Sequence, residues 1–329
     1  MNKPPTVLWI DDDPQRSREA ENLKNQLHFD VKFIDVKKKN LLDELRDIKA
    51  GDEPTLILMD HRLNNVNENA FNTGATAAEV IREKWSNCPI VCVTAAGLTD
   101  IDLHKQSIYE EVFQWGKISS HYSTLSSIAT SFHQLKENSP KDVDDFIDIL
   151  KVPDAERNRL ISILPKELKS KELYSDNSLL LTISRWVRHI LMEKPGFLYD
   201  RLWTATLLGL KEESLVKVEE IFSDAKYTGI FSDSSNERWW QAKLREILFS
   251  SFPGSDEIYP WKLGRQLPGI KESDYSKCHS SGEDFPETVA FIDEKAEKRV
   301  QVRIRYTVPH PNFEKSLFFE EMRMMKGAE

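Results

Sequence analysis

Four short apolar runs, each ending in polar residues, set the pattern of the first third of the chain. Val7-Leu-Trp-Ile10 runs into Asp11, Asp12 and Asp13. Thr55-Leu-Ile-Leu-Met-Asp60 ends in an aspartate, Pro89-Ile-Val-Cys-Val-Thr-Ala95 carries Thr94 near its end, and Glu111-Val-Phe-Gln-Trp-Gly-Lys117 ends in a lysine. Continuous apolar runs of this length, bounded by turn residues, mark strands buried on both faces. Helical spacing fills the intervals. Asp13 caps a helix with Pro14 in its first turn, running to about Leu27. A short strand, Val31–Val36, follows, and Asn40 caps a helix with Leu41, Leu42, Leu45 and Ile48 on one face. Gly74–Trp85 and, more briefly, Asp100–Ile108 read as helices; the last runs from Ser123 to Lys136. Five strands alternating with five helices predict an α/β unit, a doubly wound five-stranded parallel sheet covered on both faces.

The polar, proline-containing stretch Glu137-Asn-Ser-Pro-Lys-Asp142 marks a boundary. It divides the chain into a first domain at 1–137, a linker at 138–142 and a second domain at 143–329. The second is a mainly helical α+β domain. Ser178–Met192, Leu198–Leu210 and Glu237–Phe252 carry apolar residues at helical spacing. A C-terminal β-hairpin closes the chain. Thr288–Ile292 forms one arm; on the other, Val300, Val302, Ile304 and Tyr306 alternate with Arg299, Gln301, Arg303 and Arg305. That arginine stripe is either a site for phosphate or an acidic partner, or a solvated strand face. Arg238-Trp-Trp240 and Tyr259-Pro-Trp-Lys262 either anchor a binding surface or fill the core.

With 329 residues the chain has room for two domains. Its net charge of −9 gives no general reason to bind nucleic acid. The three cysteines form no pairing framework, which suits a reducing compartment, and Cys278-His279 lacks a second ligand pair nearby. No apolar run approaches the ~20 residues that span a bilayer, and no signal-peptide region precedes the first strand. A cytoplasmic, soluble protein is expected.

In a parallel sheet the carboxyl ends of the strands line one crevice where ligands bind. Asp11, Asp12, Asp60, Thr94 and Lys117 all fall there. Crowded carboxylates repel unless a cation is present, and Mg²⁺ takes carboxylate, carbonyl and water oxygens in an octahedron. In this order, over residues 5–136, the constellation resembles the receiver domain of two-component response regulators, a flavodoxin-like fold. The resemblance implies that Asp60 accepts a phosphoryl group from a histidine kinase or phosphotransfer protein. It implies that Asp11, Asp12, Asp60 and the carbonyl of Arg62 hold Mg²⁺. Thr94 would turn its hydroxyl to the phosphoryl group, Ala95 would leave room for it, and Lys117 would pair with its oxygens. Three departures stand out. Ile118 replaces the usual proline after the lysine, Gln114 occupies the usual place of an aromatic switch residue with Trp115 next to it, and the loop Asn64–Thr73 is long. That loop is the element expected to become ordered on phosphorylation. A second resemblance, of Asp11-x-Asp13 to haloacid-dehalogenase-like phosphatases, fails because Ile118–Gln134 contains no acid to complete that family's metal site.

The resulting expectation is a response-regulator-like signalling protein, with no enzymatic activity beyond gain and loss of its own phosphoryl group. Its receiver would control an output domain that binds a protein effector. An unfamiliar output domain on a bacterial-type receiver suits a stress or phage-defence role. Two alternatives stay open: a pseudo-receiver used as a scaffold without phosphorylation, and a second domain with an unrecognised enzymatic or nucleic-acid-binding activity.

Overall fold

The computed structural model describes residues 4–49, 51–63, 73–95, 101, 107–176, 178–310 and 322–327. The apolar runs pair side by side in one parallel sheet: β1 (Thr6–Asp11), β2 (Asp30–Asp35), β3 (Leu56–Met59), β4 (Ile90–Thr94) and β5 (Glu111–Gln114), in the order β2-β1-β3-β4-β5. This is the flavodoxin-like strand order of a doubly wound sheet. Every residue of β3 and β4 is buried, as their unbroken apolar runs require, whereas β2 at the sheet edge exposes Asp30 and Lys32 and half-buries Val31 and Phe33. Leu8, Ile10, Ile57, Met59 and Ile90 form a core with Leu41, Leu45 and Ile81. Trp9, which alternation along the strand sends to the opposite face, is fully buried, as are Leu23, Leu125 and Ile128.

The helices are α1 (Arg16–Leu27), α2 (Leu41–Arg46), α3 (Gly74–Lys84) and α4 (Tyr122–Glu137). Asn40 caps α2 as expected, its Oδ1 accepting the Leu42 N–H at 3.0 Å. Thr73 caps α3 in the same way, through the Thr76 N–H at 3.3 Å. Asp13 does not cap α1. Its carboxylate accepts the Gln15 N–H at 2.9 Å and its carbonyl the Arg16 N–H at 3.0 Å, which makes a turn ahead of the helix. Most of the expected Asp100–Ile108 helix lies outside the described residues.

β5 is shorter than its apolar run. The last pair in the ladder is Thr94 with Gln114, and β4 ends at Thr94. With no partner strand beyond that point the chain turns into a 3₁₀ helix, Trp115–His121, so Lys117 lies in that helix rather than at a strand end.

The chain divides into two compact units, 1–146 with 166–185, and 147–165 with 186–329. Residues 166–185, which the polar boundary at 138–142 assigned to the second domain, therefore belong with the sheet. The polar stretch starts a helix (Val143–Ile149), along which the chain first leaves the unit after Phe146: Asp142 Oδ1 accepts the Asp145 N–H at 2.9 Å. The returning segment is tied down by Glu110, a buried carboxylate just before β5. Arg82 reaches it at 3.0 Å and Arg185 at 2.9 Å. The Leu180 N–H also donates to Asn87 Oδ1 at 3.1 Å.

In the second unit two expected helices begin as strands. β6 (Leu198–Tyr199) and β7 (Trp239–Trp240) pair antiparallel, and the helices start only at Arg201 and Gln241. A short apolar run before a helix carries the same periodicity signal as its first turn, so sequence spacing does not separate them. Trp239 and Trp240 are buried, which settles the aromatic pair as core. The C-terminal hairpin, β8 (Thr288–Asp293) and β9 (Lys298–Val302), exists but grows into a four-stranded mixed sheet with β10 (Thr307–Pro309) and β11 (Arg323–Met325), ordered β10-β11-β8-β9. Its second arm ends at Val302, and Ile304–Tyr306 form a 3₁₀ turn. The arginine stripe is not an open basic face: Arg299 pairs with Asp200 at 2.6 Å, and Arg303 and Arg305 both pair with Glu283. Among the described residues no helix is long and apolar enough to cross a membrane.

Removing one partner of a buried ion pair strands the others. Glu110→Ala, which leaves Arg82 and Arg185 without their carboxylate, is expected to cost about 3 kcal/mol in urea unfolding. It should also expose 166–185 to protease. A loss below about 1 kcal/mol, the range of an exposed pair, with unchanged proteolysis would remove Glu110 as the tie.

Candidate metal centre

The register of β1 against β3 builds the site. Ile10 pairs with Met59, so the next residues in each strand direction, Asp11 and Asp60, emerge side by side. The Asp60 N–H donates to the Ile10 carbonyl at 3.1 Å and continues the ladder one step past the strand. One carboxylate oxygen from each of Asp11, Asp12 and Asp60 lies within 4.8 Å of the other two. Among the described residues this is the one such cluster of potential metal ligands. Asp11 and Asp12 are buried and Asp60 half-buried.

Burial is the main electrostatic fact here. It pushes the Asp11 carboxyl up to about 7, with further upward pressure from Asp60 and Asp12; the Asp13 N–H, donating at 2.8 Å, and the Arg16 guanidinium oppose it. Burial likewise raises Asp60, against hydrogen bonds from the Thr94 hydroxyl and the backbone N–H groups of Arg62 and His61. Asp60 Oδ1 is nevertheless buried with no hydrogen-bond partner. Three crowded carboxylates, one proton held far above its ordinary range and an orphaned buried oxygen are what a hard divalent cation would relieve. The donor set fits Mg²⁺, with Asp11, Asp12 and Asp60 as the residues to hold it.

Of the residues expected at the site, Asp11, Asp12, Asp60 and Thr94 come together. Thr94 is buried at the end of β4 with its hydroxyl on Asp60. Arg62 approaches Asp60 through its backbone N–H. Ala95 and Lys117 are exposed, Lys117 within the 3₁₀ helix. Two cations escaped the sequence reading. Lys37 Nζ lies 3.5 Å from Asp12 Oδ2, just past the end of β2, where the strand-end rule points. Arg16, on the first turn of α1, lies with its guanidinium 3.4 Å from the centre of the Trp115 ring and its Nε 3.6 Å from Asp13. Trp115 in turn meets Trp9 edge-on at 5.9 Å. Behind Asp60, the buried His61 and Tyr109 approach at 3.4 Å. Gly74 closes that side: a Cβ there would stand 2.1 Å from the Asp60 carbonyl oxygen and 3.0 Å from the Tyr109 hydroxyl, so only glycine fits. The Asn64–Thr73 loop lies outside the described residues except for Thr73.

No family model matches the sequence, and no curated protein matches it. Solved structures do resemble it. The signal receiver domain of an HD domain-containing protein from Pseudomonas fluorescens Pf-5 is 13% identical with a TM-score of 0.34, covering 42% of this chain and 96% of that one. A response regulator receiver domain protein from Clostridium thermocellum is 13% identical with a TM-score of 0.32, over 40% and 97%. The N-terminal domain of a response regulator/sensory box/GGDEF three-domain protein from Carboxydothermus hydrogenoformans is 20% identical with a TM-score of 0.31, over 40% and 96%. The fold itself is established by the strand order of this chain.

The raised Asp11 carboxyl has a consequence for stability. Its folded value of about 7 lies above the ordinary 3.8. The stability it lends is therefore full below that ordinary value and lost as pH rises through about 7, because the unfolded chain releases the proton first. Metal-free protein in a chelator is expected to be on the order of 4 kcal/mol less stable at the top of this window than at the bottom. Asp11→Asn should flatten most of that slope. A slope unchanged by the substitution would move the titration to another group.

Proposed function

We propose that the first unit is a phosphorylatable signal receiver, with Asp60 as the acceptor and Mg²⁺ on Asp11, Asp12 and Asp60. The observation that carries the reading is the unbonded, buried Oδ1 of Asp60, set among two further carboxylates at the carboxyl edge of a parallel sheet. An oxygen of Asp60 attacks phosphorus, its new P–O bond forming as the donor's bond to phosphorus breaks and the electron pair leaves with the donor. Bound Mg²⁺ supplies the positive charge that offsets the developing charge on the phosphoryl oxygens. The carbonyl of Arg62 serves as a further ligand of the ion. Thr94, already on Asp60, hydrogen-bonds a phosphoryl oxygen. A histidine kinase or phosphotransfer protein is the donor in this reading. The second unit is the output, acting through a protein effector.

One observation favours the scaffold alternative. Lys117, whose ammonium the resemblance places on the phosphoryl group, sits exposed in a 3₁₀ helix beyond the strand end. If that cation is required, the acids alone do not support phosphorylation.

Acetyl phosphate with Mg²⁺ discriminates between the two. The wild type is expected to gain one phosphoryl mass, labile to hydroxylamine, and Asp60→Asn none. Omission of Mg²⁺ should suppress the adduct. Equal labelling of wild type and variant would refute Asp60, and no labelling of either would leave the scaffold.

A further inference from the structure

The second unit contains a cavity of about 580 Å³ whose lining carries charges of both signs. Its size falls within the ordinary range for small-molecule sites. Asp200, Arg238 and Arg299 form one part of the wall. Asp200 is fully engaged: one oxygen accepts the Trp203 N–H at 2.9 Å and caps the helix Arg201–Leu207, and the other accepts from Arg299 at 2.6 Å. Arg238 spends its donors on carbonyls. Its Nε donates to Met192 at 2.9 Å and its Nη1 to Asn236 and Glu237 at 3.1 and 3.0 Å. Among the described residues no carboxylate lies within ion-pair distance of Arg238, and burial lowers its affinity for its proton. Nη2 of Arg238 and Nε and Nη1 of Arg299 make no hydrogen bond to the described residues. Asp200 is committed to Arg299, and Asp200, Glu193 and Asp233 act on Arg238 from beyond ion-pair distance, so what the two guanidinium groups offer the cavity is their unbonded, fork-shaped donors.

The rest of the lining has the opposite sense. Glu294 is half exposed, with His310 Nε2 at 3.0 Å, and Glu297 is exposed. Glu193, paired with His189, and Arg323, bonded to Thr307, complete the charged lining. Trp203, Val289 and Phe291 supply apolar surface. The unbonded donors of the lining therefore sit on its half-buried arginines, while its exposed charges include the carboxylates of Glu294 and Glu297. A simple oxyanion would answer the arginines and leave the glutamates facing a like charge. A simple amine would do the reverse. We propose that this cavity binds a small zwitterion of the amino-acid class, an amino acid with an amine on its side chain or a dipeptide. Its carboxylate lies on Arg238 and Arg299, and its ammonium faces Glu294 and Glu297. The site is independent of the phosphoryl reading of the first unit, and a loss of one leaves the other standing.

The test uses the full chain, with calorimetry and thermal melting against the natural amino acids, a set of dipeptides and inorganic phosphate, each at millimolar concentration. At least one amino acid or dipeptide is expected to bind saturably and raise the melting temperature, as a ligand of the folded state must. Its C-terminal amide, lacking the carboxylate, should not. Arg299→Gln should weaken binding by about tenfold or more. Because Arg299 also holds Asp200, Glu297→Gln provides a second variant on an exposed residue. It should fold like the wild type and bind the zwitterion more weakly. Absence of binding by every amino acid and dipeptide would overturn the proposal. So would binding of phosphate alone, or binding of the amide as tightly as of the acid, or binding that neither substitution weakens.

Discussion

Pairing of β1 with β3 forces like charges together, and the rest of the first unit is arranged around that fact. The register Ile10 to Met59 sets Asp11 beside Asp60, and Asp12 follows from the chain itself. A slip of one residue would send Leu8 and Ile10 out of their core and reverse every side chain of the strand. The hydrophobic pattern thereby fixes the acids in place, whatever their mutual repulsion. Two ionised carboxylates under 5 Å apart cost on the order of 3–4 kcal/mol at the effective dielectric that suits such sites. The protein answers that cost with a proton on Asp11, with N–H groups on Asp11 and Asp60, and with Lys37 and Arg16 at the margins. None of these reaches Asp60 Oδ1, so the arrangement stays open to a cation.

The parts of this site that were legible in the sequence are those fixed by strand ends. β1, β3 and β4 are buried on both faces, so their apolar runs are unbroken and their ends are sharp. Asp11, Asp12, Asp60 and Thr94 could be read directly from them. β5 failed the same test for a simple reason. An apolar run records burial and not hydrogen bonding, and β5 stays buried in part after its ladder with β4 has stopped. Lys117 was misplaced by that difference. Lys37 was overlooked because β2 is an edge strand whose alternating pattern blurs its end. Arg16 stood in a helix, where sequence spacing says which face a residue occupies but not what lies opposite.

Outside the sheet the obstacle was range. Arg185 meets Glu110 across 75 positions, and Arg299 meets Asp200 across 99. Neither pair leaves a local trace. A stripe of arginines on an alternating strand was therefore open to reading as an anion site or a solvated face, when each of its guanidinium groups has an acid partner within the unit. The same limit hid the return of residues 166–185 to the sheet. The polar boundary was real as composition, but Asp142 uses it to begin a helix, and what decides membership is the buried carboxylate waiting at Glu110.

The pairing of Thr94 with Gln114 bears on how the acids communicate with the rest of the unit. Gln114 is held in the ladder, so its backbone has little freedom to follow a rotation of Thr94. Trp115, one residue on, is outside the ladder and is placed by side chains: Trp9 from beneath and Arg16 over its face. Arg16 reaches both sides, since its charge also stabilises ionised Asp11. A cation on the acids would cancel that attraction and leave the stack on Trp115 and the Asp13 carboxylate as the contacts that set where Arg16 lies. The contacts that join the acid cluster to the 3₁₀ helix that bears Lys117 include a guanidinium and two indoles as well as the backbone of β5. An equilibrium responds to a ligand only through contacts that differ between its states, and among the described residues the contacts of Arg16 link the acid cluster to Trp115.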